Sequence, residues 1–243
     1  MPTSDAKPEA RSPGLLSSIP QLHSLWNDLL DLVFPPRCVG CERVDTLWCP
    51  RCEADLVAYP FELTTRQIGR LAVVAATGTY QDKLQDAIQA LKYYNVRSLK
   101  DPLTQRLMRA VMLLDWQPEL IIPVPLHPNR QKTRGFNQAH LLAAALADHT
   151  GQDYRPEAIQ RTRDTRPQVG LKARERLENV KDAFHAEQNA VEGRSILLID
   201  DVCTTGATLA ACAQAVRLAG AKNVYCLTVA MAAVSSAAGM TAK

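Results

Sequence analysis

Long hydrophobic runs are missing from this chain of 243 residues. No apolar stretch approaches the ~18–20 residues of a membrane-spanning helix, which excludes a helical span. An excess of one charge is also missing. The 28 Lys and Arg stand against 25 Asp and Glu, and the net of +3 does not by itself point to nucleic acid. Aromatic residues are only 5% of the chain, so its most basic stretch, 155–176, holds no rings for stacking bases and is merely flanked by Tyr154 and Phe184. The opening MPTSDAKPEARSPG lacks an apolar core, carries acids and does not read as a signal peptide. The expectation is a disordered tail on a cytoplasmic protein, whose seven cysteines are reduced thiols or metal ligands.

What is present is an ordinary globular composition, 47% hydrophobic and 22% charged, with length for one buried domain and a small accessory module. QLHSLWNDLLDLVF (21–34) has apolar residues at helical spacing and stops at Pro35 and Pro36. Its polar face lacks Lys and Arg, which favours packing against the protein over a membrane surface. Beyond it, LAVVAATGTY (71–80), ELIIPVP (119–125), SILLID and NVYCLTVA read as strands. DKLQDAIQALKYY (82–94), 98–116, 137–150 and TGATLAACAQAVRLAG read as helices, with LHPNRQKTR a polar loop. Strands and helices alternate, which predicts an α/β fold with a parallel sheet.

Cys38, Cys41, Cys49 and Cys52 stand in the pattern C-x2-C-x7-C-x2-C. Two such knuckles present four thiolates to one tetrahedral Zn²⁺, with Gly40 and Pro50 easing the bends. Two buried pairs without metal, or a redox pair, are the alternatives; a redox site needs only one CxxC at the start of a helix. Four thiolates close the coordination sphere, so the zinc is expected to be structural. Cys203, Cys212 and Cys226 have no such pairing.

ILLIDDVCTTGATL (196–209) runs from a greasy strand through Asp200 and Asp201 into a hydroxyl-rich turn. In a parallel sheet, ligands bind beyond the carboxyl ends of the strands. The amides and hydroxyls of Thr204, Thr205, Gly206, Ala207 and Thr208 suit a phosphate at a helix N-terminus. The two acids would accept hydrogen bonds from neighbouring hydroxyls, and a ribose 5-phosphate offers that pairing. An ordinary capped strand–helix junction accounts for one acid and one hydroxyl only.

This stretch resembles the phosphoribosyl diphosphate (PRPP) signature of type I phosphoribosyltransferases. Together with PVPLHPNRQKTRGFNQAHLLA (123–143), LKARERLENVKDAF (171–184) and the cysteine quartet, it resembles the ComF/GntX family over roughly residues 22–233. The resemblance implies a phosphoribosyltransferase-like domain (61–235) behind an amphipathic helix and a four-cysteine, zinc-ribbon-like module (21–60), with tails at 1–20 and 236–243. It implies that 204–208 hold the 5-phosphate and that Asp200 and Asp201 meet the ribose hydroxyls, in catalytic roles if the enzyme is active. It departs at YQDKL, where Asp82 stands in place of a glycine common in the family.

Two basic segments complete the reading. His127, Arg130, Lys132 and Arg134 crowd the loop after the IIPVP strand, where the resemblance implies a diphosphate carried with Mg²⁺; Arg130 and Arg134 are the candidates. Residues 155–176 suggest a mobile flap, with Arg161, Arg163, Gln168, Arg174 and Arg176 as its polar contacts. The function implied is PRPP binding in DNA uptake or use, with single-stranded DNA and uptake or recombination proteins as partners. The alternative is a salvage transferase that moves ribose 5-phosphate from PRPP to a nitrogenous base.

Overall fold

A computed structural model of the chain describes residues 34–68, 72–126, 128–163, 180 and 182–233. The amphipathic segment 21–34 falls outside them except for its last residue.

From the N-terminal side come helix α1 (Pro50–Ala58), strands β1 (Thr64–Ile68) and β2 (Ala72–Ala76), α2 (Asp82–Tyr93) and, after a 3-10 turn, α3 (Lys100–Leu113). Then follow β3 (Leu120–Pro123), α4 (Pro128–Arg134), α5 (Gln138–Thr150), β4 (Asp153–Tyr154) and β5 (Ile159–Arg161). β6 (Phe184–Ala186), α6 (Gln188–Val191), β7 (Ser195–Cys203), α7 (Ala207–Leu218) and β8 (Asn223–Met231) complete the order. Six strands form one sheet in the order β1-β2-β8-β7-β3-β4, parallel throughout except for β1, which runs antiparallel to β2 at one edge. The α/β parallel-sheet fold expected from the sequence is the one observed.

The helices cover both faces for the same reason. Leu84, Ala87, Ile88 and Leu91 of α2, Ala139, Leu142, Ala143 and Leu146 of α5, and Leu209, Cys212, Ala213 and Val216 of α7 repeat the i, i+3, i+4, i+7 spacing and are buried. α7 and the β5–β6 pair pack on one face of the sheet; α2, α3 and α5 pack on the other. Ile196 to Ile199 of β7 are wholly buried, because both faces of this central strand are covered.

Three local expectations are corrected. The LHPNRQKTR loop contains a short helix, α4, since Pro128 starts it well and no glycine interrupts it before Gly135. The strand expected at SILLID continues through both acids to Cys203, because β8 supplies partners as far as Met231. Near its start the basic stretch holds strand rather than loop: β5 pairs antiparallel with β6, which lies just beyond the stretch, Arg161 opposite Phe184. Gln168, Arg174 and Arg176 lie outside the described residues.

The cysteine segment is tied to this body. Arg106 of α3, buried, donates to the Tyr59 and Pro60 carbonyls at 2.9 and 2.7 Å and to the Thr77 carbonyl at 2.8 Å. Lys83 Nζ of α2 donates to the Gly40 carbonyl at 2.9 Å, inside the first cysteine knuckle.

Candidate functional site

At the carboxyl edge of the sheet, beyond β3 and β7, lies a cleft of about 330 Å³. Asp200 and Asp201 form its floor, from the end of β7. The turn that follows supplies one wall, with Thr204, Gly206, Ala207 and Thr208 lining it. Gly206 has φ +82°, a conformation L side chains adopt only at a cost, and a Cβ there would lie 2.7 Å from Ile68 Cγ2 of β1. This reversal aims the first amides of the twelve-residue α7 at the cleft, with the positive end of the helix dipole behind them. Thr205 does not line the cleft; its Oγ1 accepts from the Ala207 amide at 3.3 Å. Arg66 of β1 braces the turn from behind, donating to the Thr204 carbonyl at 2.8 Å and to Cys203 Sγ at 3.1 Å.

The opposite wall comes from α2, α4 and α5. Arg134, at the end of α4, lies over the Tyr93 ring at 5.3 Å and donates from Nη1 to Gln138 Oε1 at 3.0 Å. A guanidinium only donates, so this bond fixes the amide of Gln138: Nε2 is left as a buried donor with no partner among the described residues. Asn137 caps α5, accepting from the Ala139 amide at 3.0 Å and donating to the Val124 carbonyl at 3.0 Å. Arg161, on β5, also lines the cleft, whereas Arg163 is exposed and does not. Arg130 lies on α4, and Lys132 is exposed there. His127 lies outside the described residues.

The charge state of the floor is set by one residue that the sequence did not single out. Lys92 of α2 reaches Asp201 Oδ1 at 2.8 Å, with both side chains largely shielded from water. Burial alone would lower the lysine, but the charge and hydrogen bond of Asp201 raise it overall. Burial, then the neighbouring charge of Asp201, push the Asp200 carboxyl up to about 7 despite Lys92. One of its oxygens accepts from the Asp201 amide at 2.8 Å.

The cysteine quartet forms a second candidate site. Its four sulfurs lie within 4.8 Å of one another, and Cys41 Sγ is 3.6 Å from Cys49 Sγ. Tetrahedral zinc with ~2.3 Å bonds needs sulfur–sulfur edges of about 3.8 Å, so the set fits such an ion. Cys38, Cys49 and Cys52 are buried and Cys41 is exposed. A bond from the Cys52 backbone draws the Cys49 thiol down to about 6, in the direction a metal ligand requires; burial pushes Cys52 up. At Gly40 a Cβ would stand 2.9 Å from Cys52 Sγ, so the knuckle closes only around glycine.

No family model matches the chain. It is 32% identical over 199 residues to the DNA utilization protein YhgH of Escherichia coli, across 78% of this chain and 87% of that protein. The chain belongs to the ComF/GntX family. Competence protein F of Haemophilus influenzae is 31% identical, across 77% of this chain and 86% of its own length. Competence protein ComFC of Bacillus subtilis is 42% identical over 91 residues, covering 37% of this chain and 35% of that one. Among solved structures, adenine phosphoribosyltransferase from Leishmania tarentolae is similar at a TM-score of 0.41 and 10% identity, over 69% of this chain and 94% of that one.

In this ComF/GntX-family chain the acid pair, the threonine turn, Arg134 and Arg161 converge on one cleft, as the topology of a parallel sheet requires. Lys92, Tyr93, Gln138 and Arg66 are the additions of the structure. RGFNQ ends in Gln138, and a buried amide beside an arginine was the one signal available for it. The Asp82 departure has a physical reading: its φ is +46°, the left-handed region in which glycine costs least, and its carboxylate accepts from the Tyr59 hydroxyl at 3.2 Å.

Proposed function

We propose that the cleft binds PRPP, or the ribose 5-phosphate within it, and that the chain uses this site in the handling of DNA. The observation that carries the reading is the Gly206 turn: a helix N-terminus built for an anion follows directly from the strand that presents two carboxylates. The 5-phosphate takes the turn at 204–208, where Thr204, Gly206, Ala207 and Thr208 line the cleft, and the ribose hydroxyls lie at the carboxylate end of β7. The diphosphate extends toward Arg134 and Arg130, with Arg161 lining the same cleft. Mg²⁺ carried with the diphosphate would neutralise charge on the leaving group, beside Asp200 in the cleft, while Asp201 is engaged by Lys92. Zn²⁺ takes Cys38, Cys41, Cys49 and Cys52 and holds the N-terminal module in shape.

The acid pair favours a second step on the same site. A nitrogen nucleophile attacks C1 of the ribose, the C1–oxygen bond breaks and diphosphate leaves, with the carboxylates facing the positive charge that develops on the ring. The names of the relatives, DNA utilization and competence, support a role in DNA uptake or use over base salvage. The basic residues of α4 and of 155–176 then supply phosphate contacts for single-stranded DNA. Calorimetric titration with PRPP and Mg²⁺, run beside an assay of diphosphate release over a panel of bases, tests both levels. Binding without release leaves a PRPP-responsive DNA protein; release identifies a transferase; absence of binding removes the reading. Asp200→Asn with Asp201→Asn is expected to abolish release and to leave salt-dependent DNA binding in place.

A further inference from the structure

Adjacent carboxylates on a strand do not face the same way. Along β7, Ile196 and Leu198 belong to the core beneath α7, and Leu197 and Ile199 to the core beneath α2, α3 and α5. The alternation does not persist to the end of the strand, where Val202 packs on the α2 side and Cys203 on the α7 side, so the two acids are placed by their contacts. Asp201 meets Lys92 of α2 at 2.8 Å, while Cys212 of α7, pushed up first by burial, is pushed further by the charge of Asp200. The side chains of Lys92 and Asp201 keep only 17% and 9% of their surface, so the pair is held out of water and committed to itself. Asp200 lines the cleft and has no ion-pair partner among the described residues.

We propose that Lys92 is a positioning residue of the cleft: it holds Asp201 in an ion pair on the α2 face, which leaves Asp200 as the carboxylate that accepts hydrogen bonds from the ribose hydroxyls. The inference rests on the sugar-phosphate reading of the cleft and divides the labour of its two acids. Without Lys92, no cation offsets the charge of Asp201 that already acts on Asp200, and Asp200 spends more of its time protonated. The groups facing Asp200 are Asp201 and Cys203 on its own strand, Lys92 on α2, Arg134 at the end of α4, Cys212 on α7 and Cys226 on β8. Arg66 of β1 stands behind Cys203, and Tyr80 beside Lys92. Arg161 of β5 also lines the cleft, and Lys92 contacts Asp201 directly among the described residues.

The test is calorimetric titration of the full chain with inorganic phosphate, ribose 5-phosphate and PRPP with Mg²⁺, between about pH 6 and pH 9. For the unaltered protein, affinity for the two ribose ligands should rise with pH as Asp200 ionises. Lys92→Met should weaken both by about tenfold at neutral pH and move that rise to higher pH, leaving phosphate within about twofold. Lys92→Arg should restore most of the loss. If Lys92→Met is too unstable to purify, Lys92→Met with Asp201→Asn decides. With both charges gone, ribose binding should return to within about threefold of the unaltered protein, and the rise should move to lower pH. The proposal is overturned if Lys92→Met keeps the affinity and the pH profile, or if the double variant holds phosphate but loses ribose ligands. If the unaltered protein binds none of the three, the sugar-phosphate reading fails first and takes the inference with it.

Discussion

At Asp200, burial and the adjacent charge hold the carboxyl near 7, well above its value in an unfolded chain. The folded state therefore keeps a proton that the unfolded state has released, and stability falls as pH rises from about 4 through about 7. Asp200→Asn is expected to raise the thermal midpoint by a few degrees at pH 8 and to leave it nearly unchanged near pH 4. Scanning calorimetry at the two pH values checks the sign. Gln138→Glu isolates a single donor. It keeps the acceptor for Arg134 and replaces Nε2, the unpartnered group, by an oxygen. Thermal stability should hold, while PRPP affinity should drop by about tenfold or more if phosphate oxygens face that position. Unchanged affinity would mean that Gln138 only supports Arg134. The acid pair was legible from sequence because two acids before a threonine turn are unusual. Lys92 was not, since one lysine on an amphipathic helix looks like any solvated residue until the fold brings Asp201 to it.

Among the elements, the junction of β7 and α7 bears most on the site. Gly206→Ala puts a Cβ into Ile68 and a non-glycine residue at φ +82°, at a cost of about 1–2 kcal/mol for the backbone alone. Denaturant unfolding should register that loss, and phosphate affinity should fall with it as the first amides of α7 turn away. Asn137→Ala removes the cap of α5 and the tie to the end of β3, and about 1 kcal/mol is expected in the same measurement. The repeating apolar positions of α2, α5 and α7 made these helices readable in advance. Strand ends were less so. β7 outruns its hydrophobic segment because β8 lies beside it, and α4 forms where polar composition suggested a loop. Both outcomes depend on neighbours that local composition does not contain.

Over the whole molecule, Lys83 binds the carbonyl of Gly40, and Arg106 gathers the carbonyls of the segment between α1 and the sheet. Metal removal should therefore be felt beyond the cysteines. Purified protein is expected to carry about one zinc per chain. A strong chelator should remove it and expose the region around α1 to limited proteolysis, with the sheet core retained. A metal content far below one equivalent would count against the tetrathiolate site. Arg106→Met removes the donor shared by the Tyr59, Pro60 and Thr77 carbonyls, of which Thr77 keeps the Glu62 amide, and should cost about 1–3 kcal/mol, read from the same unfolding curves.

The α/β class, the metal-ready quartet and the acidic, threonine-rich turn follow from the sequence alone, because each depends on spacing within a short stretch: apolar residues at helical repeats, paired knuckles, two acids before a glycine turn. The tertiary structure decided what those stretches face. At the end of β7 the packing of α2 brings Lys92 to Asp201, while the charge of Asp200 acts on Cys212 of α7. α5 buries Gln138 against Arg134 at the far wall. Such pairings are settled by the core, which fixes the distance between groups far apart in the chain and so sets the charge each one carries.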